Sequence, residues 1–230
     1  MTKAKAGARK SVGGEESRLR AAVIETARAM SNSGLSPGRS GNVSARFDGG
    51  MLITPTGLAY AGMRPKDIVY VASDGTVPGK QKTPSSEWQF HLSAYAARPD
   101  MSAVVHTHSL HAVVLSCAGR SIPAFHYMVA VAGGVDIPLV PYATFGSADL
   151  AAHVASGLAE RRACLMAHHG AIAMGRTLAG ALALAHEVEA LAEQYVKLLT
   201  LGEPVLLPED EMAVVLERFK TYGQQRDGTG

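Results

Sequence analysis

Ala103-Val104-Val105-His106-Thr107-His108 is a short apolar run that closes on two histidines one residue apart, and the rest of the chain can be read outward from it. In a β-strand alternate side chains share a face, so His106 and His108 would point the same way, about 6.5–7 Å apart, within reach of one ion. That is metal-ligand spacing, although a lone His-x-His also occurs on ordinary strands. Two stretches elsewhere offer matching chemistry: Glu87 at the start of a helix, and His168-His169-Gly170 after the apolar run Ala163 to Ala167. Three histidines and one glutamate suit zinc.

The surrounding chain has 230 residues, 47% of them apolar, enough for one domain with a substantial core. Its net charge of +2 is set by the arm Met1 to Gly14, which holds Lys3, Lys5, Arg9 and Lys10 and no acid; without the arm the balance is −2. A mildly acidic body gives no electrostatic footprint for nucleic acid. The arm lacks the apolar stretch of a signal peptide, so residues 1–14 are expected to be a disordered basic arm and 15–230 the folded domain. Cys117 and Cys164 sit in apolar company, as free cysteines packing like small hydrophobes do, which fits a reducing, cytoplasmic setting. No apolar run approaches the ~20 residues that cross a bilayer, so no membrane partner is expected.

Leu19, Val23, Ala27 and Met30 recur at helical spacing and predict a first helix from Ser17 to Ser33, closed by Gly34. Val43 to Phe47 and Met51 to Thr54 flank Asp48-Gly49-Gly50 and predict a hairpin. Ile68 to Val71 reads as a third strand. Thr83 to Glu87 shifts from loop to helix, with hydroxyls placed to cap and a carboxylate in the first turn, where the helix dipole favours negative charge. A short helix is expected from Ser109 to Ala118, and one from Ser147 carrying Leu150, Val154 and Leu158. Ala163 to Ala167 reads as a buried strand whose histidines mirror those of the first. Thr177 opens the longest helix, ended by Gly202 and Pro204, and a last helix runs from Pro208 to about Lys220. Mixed elements with an antiparallel hairpin define an α/β single domain, its mixed, largely antiparallel central sheet covered by helices on both faces.

Zinc held by three imidazoles and a displaceable carboxylate keeps a position open for a substrate oxygen, which marks catalysis rather than structure. Such an ion can polarise a carbonyl and stabilise an enediolate, while a glutamate that leaves it moves a proton on the adjacent carbon. Taken alone, Glu87 is also a good first-turn residue. Ser40-Gly41-Asn42, Thr56-Gly57 and Ser85-Ser86 have the glycines and hydroxyls of a phosphate site, the last pair at a helix N-terminus, and each is equally an ordinary turn or cap.

The stretches SGNVS (40–44), LITPTG (52–57), PSSEW (84–88), VVHTH (104–108), AFHYMVAVAGG (124–134), PYATFG (141–146), AHHGAIA (167–173) and ERFKTYG (217–223) occur in order across the domain. Together they resemble the class II, zinc-dependent sugar-phosphate aldolases, most strongly the branch acting on L-fuculose 1-phosphate. The resemblance implies a homotetramer with active sites at subunit interfaces and one zinc per chain on His106, His108, His169 and Glu87. Glu87 would also be the catalytic acid/base. Gly41, Asn42, Thr56, Gly57, Ser85 and Ser86 would cradle the phosphate of a small sugar phosphate. Tyr127, from a neighbouring subunit, would protonate the aldehyde oxygen, and Phe145, Phe219 and Tyr222 would shape the aldehyde pocket. The implied products are dihydroxyacetone phosphate and L-lactaldehyde; a 5-deoxypentulose 1-phosphate giving acetaldehyde needs the same site. A sugar-phosphate 4-epimerase shares the fold, and an adducin-like interaction domain is the non-enzymatic alternative, set against the intact donors. His168 is read as a supporting residue, and His91, His111, His126, His153 and His186 as packing or surface residues. Arg39 departs from the small or polar residue often found at its position.

Overall fold

Strands β1 (Asn42–Phe47) and β2 (Gly50–Ile53) form the expected hairpin, with Phe47 opposite Gly50. The two residues between them, Asp48 and Gly49, have φ of 45° and 73°. Positive φ at both positions belongs to the mirror-image turn whose twist suits a two-residue hairpin, and Asp-Gly is the pair that tolerates it. The computed structural model describes residues 2–221, with side chains from Gly13 onward.

The sheet grows from both edges of this hairpin. Strand β3 (Val69–Val71) pairs with β2, and β4 (Ala103–Thr107) pairs with β1. Beyond β4 lie β7 (Gly170–Gly175), β6 (Ala163–Met166) and the two-residue β5 (Leu139–Val140), giving the order β3-β2-β1-β4-β7-β6-β5. Every neighbouring pair is antiparallel except β5 with β6. The expectation of a mixed, largely antiparallel sheet holds. Strand β7 was not expected, so the second histidine pair does not end a copy of the first strand; it occupies the tight turn joining β6 to β7.

Among the described residues five helices cover the sheet, α1 (Thr2–Asn32), α2 (Trp88–Ala97), α3 (Leu110–Cys117), α4 (Ala148–Leu158) and α5 (Leu178–Leu199), and a sixth, α6 (Glu209–Phe219), lies apart from it. Ser147 and Thr177 cap α4 and α5, accepting from the amides of Leu150 and Gly180. Helix α1 starts before the Ser17 read from the pattern; its added turns are those of the basic arm, rich in the good helix formers Ala, Lys and Arg. The apolar stripe that packs it on the sheet begins only at Leu19.

Residue parity along β4 assigns its two faces. Ala103 and Val105 point toward α1, α3 and α5, among Val23, Ala27, Leu115, Leu184 and Val188. Val104 points the other way, among Phe90 and Tyr95 of α2 and Leu150, Val154 and Leu158 of α4. Burial on both sides explains why the central strand reads as a continuous apolar run. By the same alternation His106 falls on the α2 face, where its ring meets Phe90 edge-on with centroids 5.1 Å apart. A smaller cluster lies apart, where Met212 and Val215 of α6 pack on Ala124 and on Ala130 of a 3-10 turn, Tyr127–Ala132. Among the described residues no helix is long and apolar enough to cross a membrane.

Candidate metal centre and phosphate cradle

Antiparallel pairing brings the start of β1, the end of β4 and the start of β7 to one end of the sheet. Asn42 is opposite His106 across β1 and β4, and His106 is opposite Ile172 across β4 and β7. Strand β4 ends at Thr107, so His108 lies just beyond it, and its Nε2 still comes to 2.9 Å from Nε2 of His106. His169 is presented by the β6–β7 turn, where His168 takes a left-handed backbone, φ 55°. That conformation is costly for a residue with a Cβ and recurs at functional turns. Gly170 follows because a Cβ there would sit 2.3 Å from the carbonyl oxygen of Thr107.

Glu87 occupies the N-cap position of α2, yet its side chain caps nothing. Its carboxylate turns to the sheet instead, with Oε2 3.2 Å from His106 Nε2 and Oε1 2.9 Å from His169 Nε2. The first-turn reading of Glu87 therefore describes its backbone and not its carboxylate. Ligand atoms of Glu87, His106, His108 and His169 all lie within 4.8 Å of one another.

The donors fit a cation. His106 Nδ1 lies 2.9 Å from the carbonyl oxygen of Ala171 and must donate to it, which leaves Nε2 as a lone pair aimed at the cluster. A second imidazole nitrogen and a carboxylate converge on that lone pair, a crowding of acceptors that a positive ion resolves. Burial opposes ionisation of Glu87, but His106 and His169, by charge and hydrogen bonding, hold its carboxyl well below the usual range. Burial, and then the neighbouring His106 and His169, pushes His108 down to about 3, so it is neutral and ready to ligate at pH 7.

All six residues expected to cradle phosphate line one cavity of about 340 Å³ together with Glu87, His108 and His169. The loops are tied together: Ser85 donates its amide to the Thr54 carbonyl at 3.0 Å, and Thr56 donates to that of Thr83 at 3.2 Å. Gly41, φ 83°, has to be glycine, since a Cβ would come within 2.4 Å of Ser36 Oγ and 2.6 Å of the His106 carbonyl oxygen. Asn42 lines the cavity, but its side-chain nitrogen already donates to Glu87 Oε2 at 2.8 Å. Tyr60, which sequence reasoning missed, donates from its hydroxyl to the Gly41 carbonyl at 2.6 Å, and burial, then Glu87, raises it to about 12. Arg39 lies at the mouth and donates to the Gly57 carbonyl at 3.0 Å.

Phe145 and His168 also line the cavity, with Tyr142 edge-on to His168 at 6.0 Å between centroids. Tyr127 and Phe219 do not line it. They pack on each other instead, centroids 6.5 Å apart, at the 3-10 turn and α6. Tyr222 lies outside the described residues.

His91 was read as a packing residue, and its complete burial agrees with that, but it is also hydrogen-bonded to Asn42. The signal was available, because Glu87 and His91 are four apart, one helical turn. Complete burial, and then His106, pushes His91 down to about 3. Its unfolded value is about 6.5. A folded pKa below the unfolded one means that the unfolded chain takes up the proton first, so stability is lost as pH falls from about 6.5 toward 3. For this one histidine the slope reaches about 1.4 kcal/mol per pH unit. Chelator-treated protein is expected to unfold at lower urea at pH 5 than at pH 7; equal midpoints would contradict the burial of a neutral His91.

These features set a group of side chains able to hold a metal ion beside a cavity lined by Gly-, Ser- and Thr-bearing loops. Residues 21–196 match the family described as Class II Aldolase and Adducin N-terminal domain, and the chain belongs to that family. It is 56% identical over 205 residues to 5-methylthioribulose-1-phosphate/5-deoxyribulose-1-phosphate aldolase of Rhodospirillum rubrum, covering 89% of this chain and 92% of that one. It is 50% identical over 210 residues to L-fuculose phosphate aldolase of Escherichia coli K12, covering 91% and 97%. A solved structure of L-fuculose 1-phosphate aldolase superposes with a TM-score of 0.84 at 38% identity, covering 88% of this chain and 96% of that one. The protein is a class II aldolase, a carbon–carbon lyase.

Proposed function

We propose that the chain cleaves a ketose 1-phosphate reversibly to dihydroxyacetone phosphate and a small aldehyde, with L-fuculose 1-phosphate yielding L-lactaldehyde. One observation carries this reading: three of the four candidate metal donors, Glu87, His108 and His169, and the three Gly-, Ser- and Thr-bearing segments line the same cavity. Glu87, His106, His108 and His169 would hold one zinc, which supplies a Lewis acid for the substrate carbonyl when bound. The phosphate is anchored by Gly41, Asn42, Thr56, Gly57, Ser85 and Ser86, whose amides and hydroxyls donate to its oxygens. Glu87 takes and returns the proton on the carbon next to the carbonyl. Phe145 borders the aldehyde end.

Cleavage of a 5-deoxypentulose 1-phosphate to acetaldehyde is the second reading, favoured by the name of the Rhodospirillum rubrum relative. An intact donor set supports chemistry over an adducin-like interaction role, and the names of the relatives favour an aldolase over a 4-epimerase. The two free cysteines support a cytoplasmic setting. Release of dihydroxyacetone phosphate, coupled to an NADH-dependent reductase, is to be compared across several ketose 1-phosphates. Cleavage is expected for phosphorylated ketoses and not for free ones; no release from any of them would overturn the proposal.

In the same reading the enzyme is a homotetramer whose sites lie at subunit interfaces. Tyr127 is 46% exposed and braced by Phe219, the arrangement of a side chain offered outward, and it serves a neighbour's aldehyde oxygen as proton donor. A monomeric variant with undiminished turnover would remove that role.

A further inference from the structure

Behind Glu87 runs a line of buried polar groups that starts at Asn42 and continues into Ser44, His91 and Tyr95, three residues that the aldolase reading leaves without a task. Asn42, Ser44, His91 and Tyr95 are each at most 3% exposed. An ionised carboxylate can only accept, so Asn42 must turn its amide nitrogen to Glu87 Oε2, 2.8 Å away. The Asn42 oxygen is then left facing His91 Nε2 at 2.5 Å, and that nitrogen has to carry the imidazole proton. His91 Nδ1 becomes the acceptor, and Ser44 Oγ, at 2.7 Å, has to donate to it. The remaining lone pairs of Ser44 accept from the Tyr95 hydroxyl at 2.8 Å. Each group has one orientation that satisfies both neighbours, and the polarity runs from Tyr95 to the carboxylate without a conflict.

We propose that His91, set by Ser44, is a positioning residue for the aldol reaction: its Nε2–H tautomer locks the Asn42 amide with the NH2 toward Glu87, and so aims the carboxylate. Without that lock the amide of Asn42 can turn over, and its oxygen would then face the Glu87 oxygen it now serves. His91 touches neither cavity nor donor cluster, and its ring is held flat against Phe90, 17° from parallel with centroids 4.9 Å apart. Its effect passes entirely through Asn42. Glu87 sits one turn before His91 on α2, whereas Asn42 and Ser44 are on β1, so the line also fixes the helix start against the strand. The inference rests on Glu87 being the proton-transferring group.

The tautomer is read directly from the nitrogen spectrum of zinc-loaded enzyme carrying ¹⁵N-histidine. The expected pattern for His91 is a protonated Nε2 and a bare Nδ1; a protonated Nδ1, or an imidazolium, overturns the proposal. His91→Phe keeps the stack on Phe90 and removes both polar ends. It is expected to lower kcat about 10–100-fold, the usual weight of a residue that orients a ligand, with KM little changed and zinc content full. His91→Gln replaces the Nε2–H with an amide N–H at nearly the same place and is expected to restore most of the loss. Wild-type kcat in His91→Phe, or no recovery in His91→Gln, overturns the proposal. Ser44→Ala covers the case in which His91→Phe fails to fold, since loss of the donor to Nδ1 should shift the His91 spectrum toward the other tautomer and lower kcat; an unchanged spectrum counts against the line. If the wild-type enzyme cleaves no ketose phosphate, the aldolase reading fails by itself, while the tautomer measurement keeps its meaning.

Discussion

Glu87→Gln is expected to lower turnover about 10²–10⁴-fold, the range that general acid/base catalysis supplies, while zinc and the ketose phosphate still bind. Glu87 is 7% exposed, and its carboxylate lies 2.8, 3.2 and 2.9 Å from Asn42, His106 and His169. Glutamine has the same shape and keeps an oxygen to accept from Asn42, so the pocket has little reason to rearrange. What it lacks is the titratable oxygen. In the enzyme as it stands, His106 and His169 hold the Glu87 carboxyl well below its usual range and the Asn42 amide donates to it; a carboxylate relieved of a cation in a site with little water is a stronger base than one in solution. Exchange of the dihydroxyacetone phosphate methylene proton with deuterated solvent isolates this step, because it needs the base and no aldehyde. Wild-type exchange in Glu87→Gln would assign the base to another residue.

His106→Ala is expected to abolish both metal binding and cleavage, a larger effect than the roughly 10–100-fold carried by residues that only orient a ligand. His106 is fully buried, its Nδ1 is committed to the Ala171 carbonyl, and its Nε2 touches both His108 and Glu87. Alanine removes the central donor and leaves a hole against Phe90 that no neighbouring nitrogen can reach across. Metal analysis after gel filtration, with urea unfolding of chelated mutant and chelated wild type as a control for the cavity, separates lost coordination from lost stability. One metal ion per chain with full cleavage in His106→Ala would remove His106 from the donor set.

The parts of this molecule that were legible in its sequence are those governed by neighbours in the chain. Asp48-Gly49-Gly50 announced the hairpin, though Gly50 belongs to the second strand, Ser147 and Thr177 announced their helices, and the apolar run before His106 announced a strand. His169 falls in the cluster able to hold a metal but not at the end of a copy of the first strand, because Ala171 to Met174 carries no polar residue to give β7 an alternating pattern, and the turn before it depends on a left-handed His168 that no propensity favours. Glu87 was recognised by its place at a helix start, a fact about backbone, whereas the direction of its carboxylate depends on His106 and His169, far along the chain. The hydrogen bonds of His91 stayed hidden for the same reason: its partners Asn42 and Ser44 are on β1 and reach it only once α2 lies against that strand. Tyr127 and Phe219 were named separately, and their contact through α6 could not be read from either segment.

That the candidate donors come from a helix start, the end of β4 and the β6–β7 turn has a consequence for the order in which the protein is made. Positions 87, 106, 108 and 169 become neighbours only after β4 has found β7 and α2 has docked on the sheet, so an ion has no compact cluster to grasp in the nascent chain. The drive to that state comes from dozens of buried aliphatic and aromatic side chains, each worth about 1.5–3 kcal/mol. A core of that size folds a domain without help from an ion, unlike the smallest metal-dependent domains, in which metal binding itself supplies the folding free energy. A metal ion bound at this cluster would therefore load last, onto a finished scaffold.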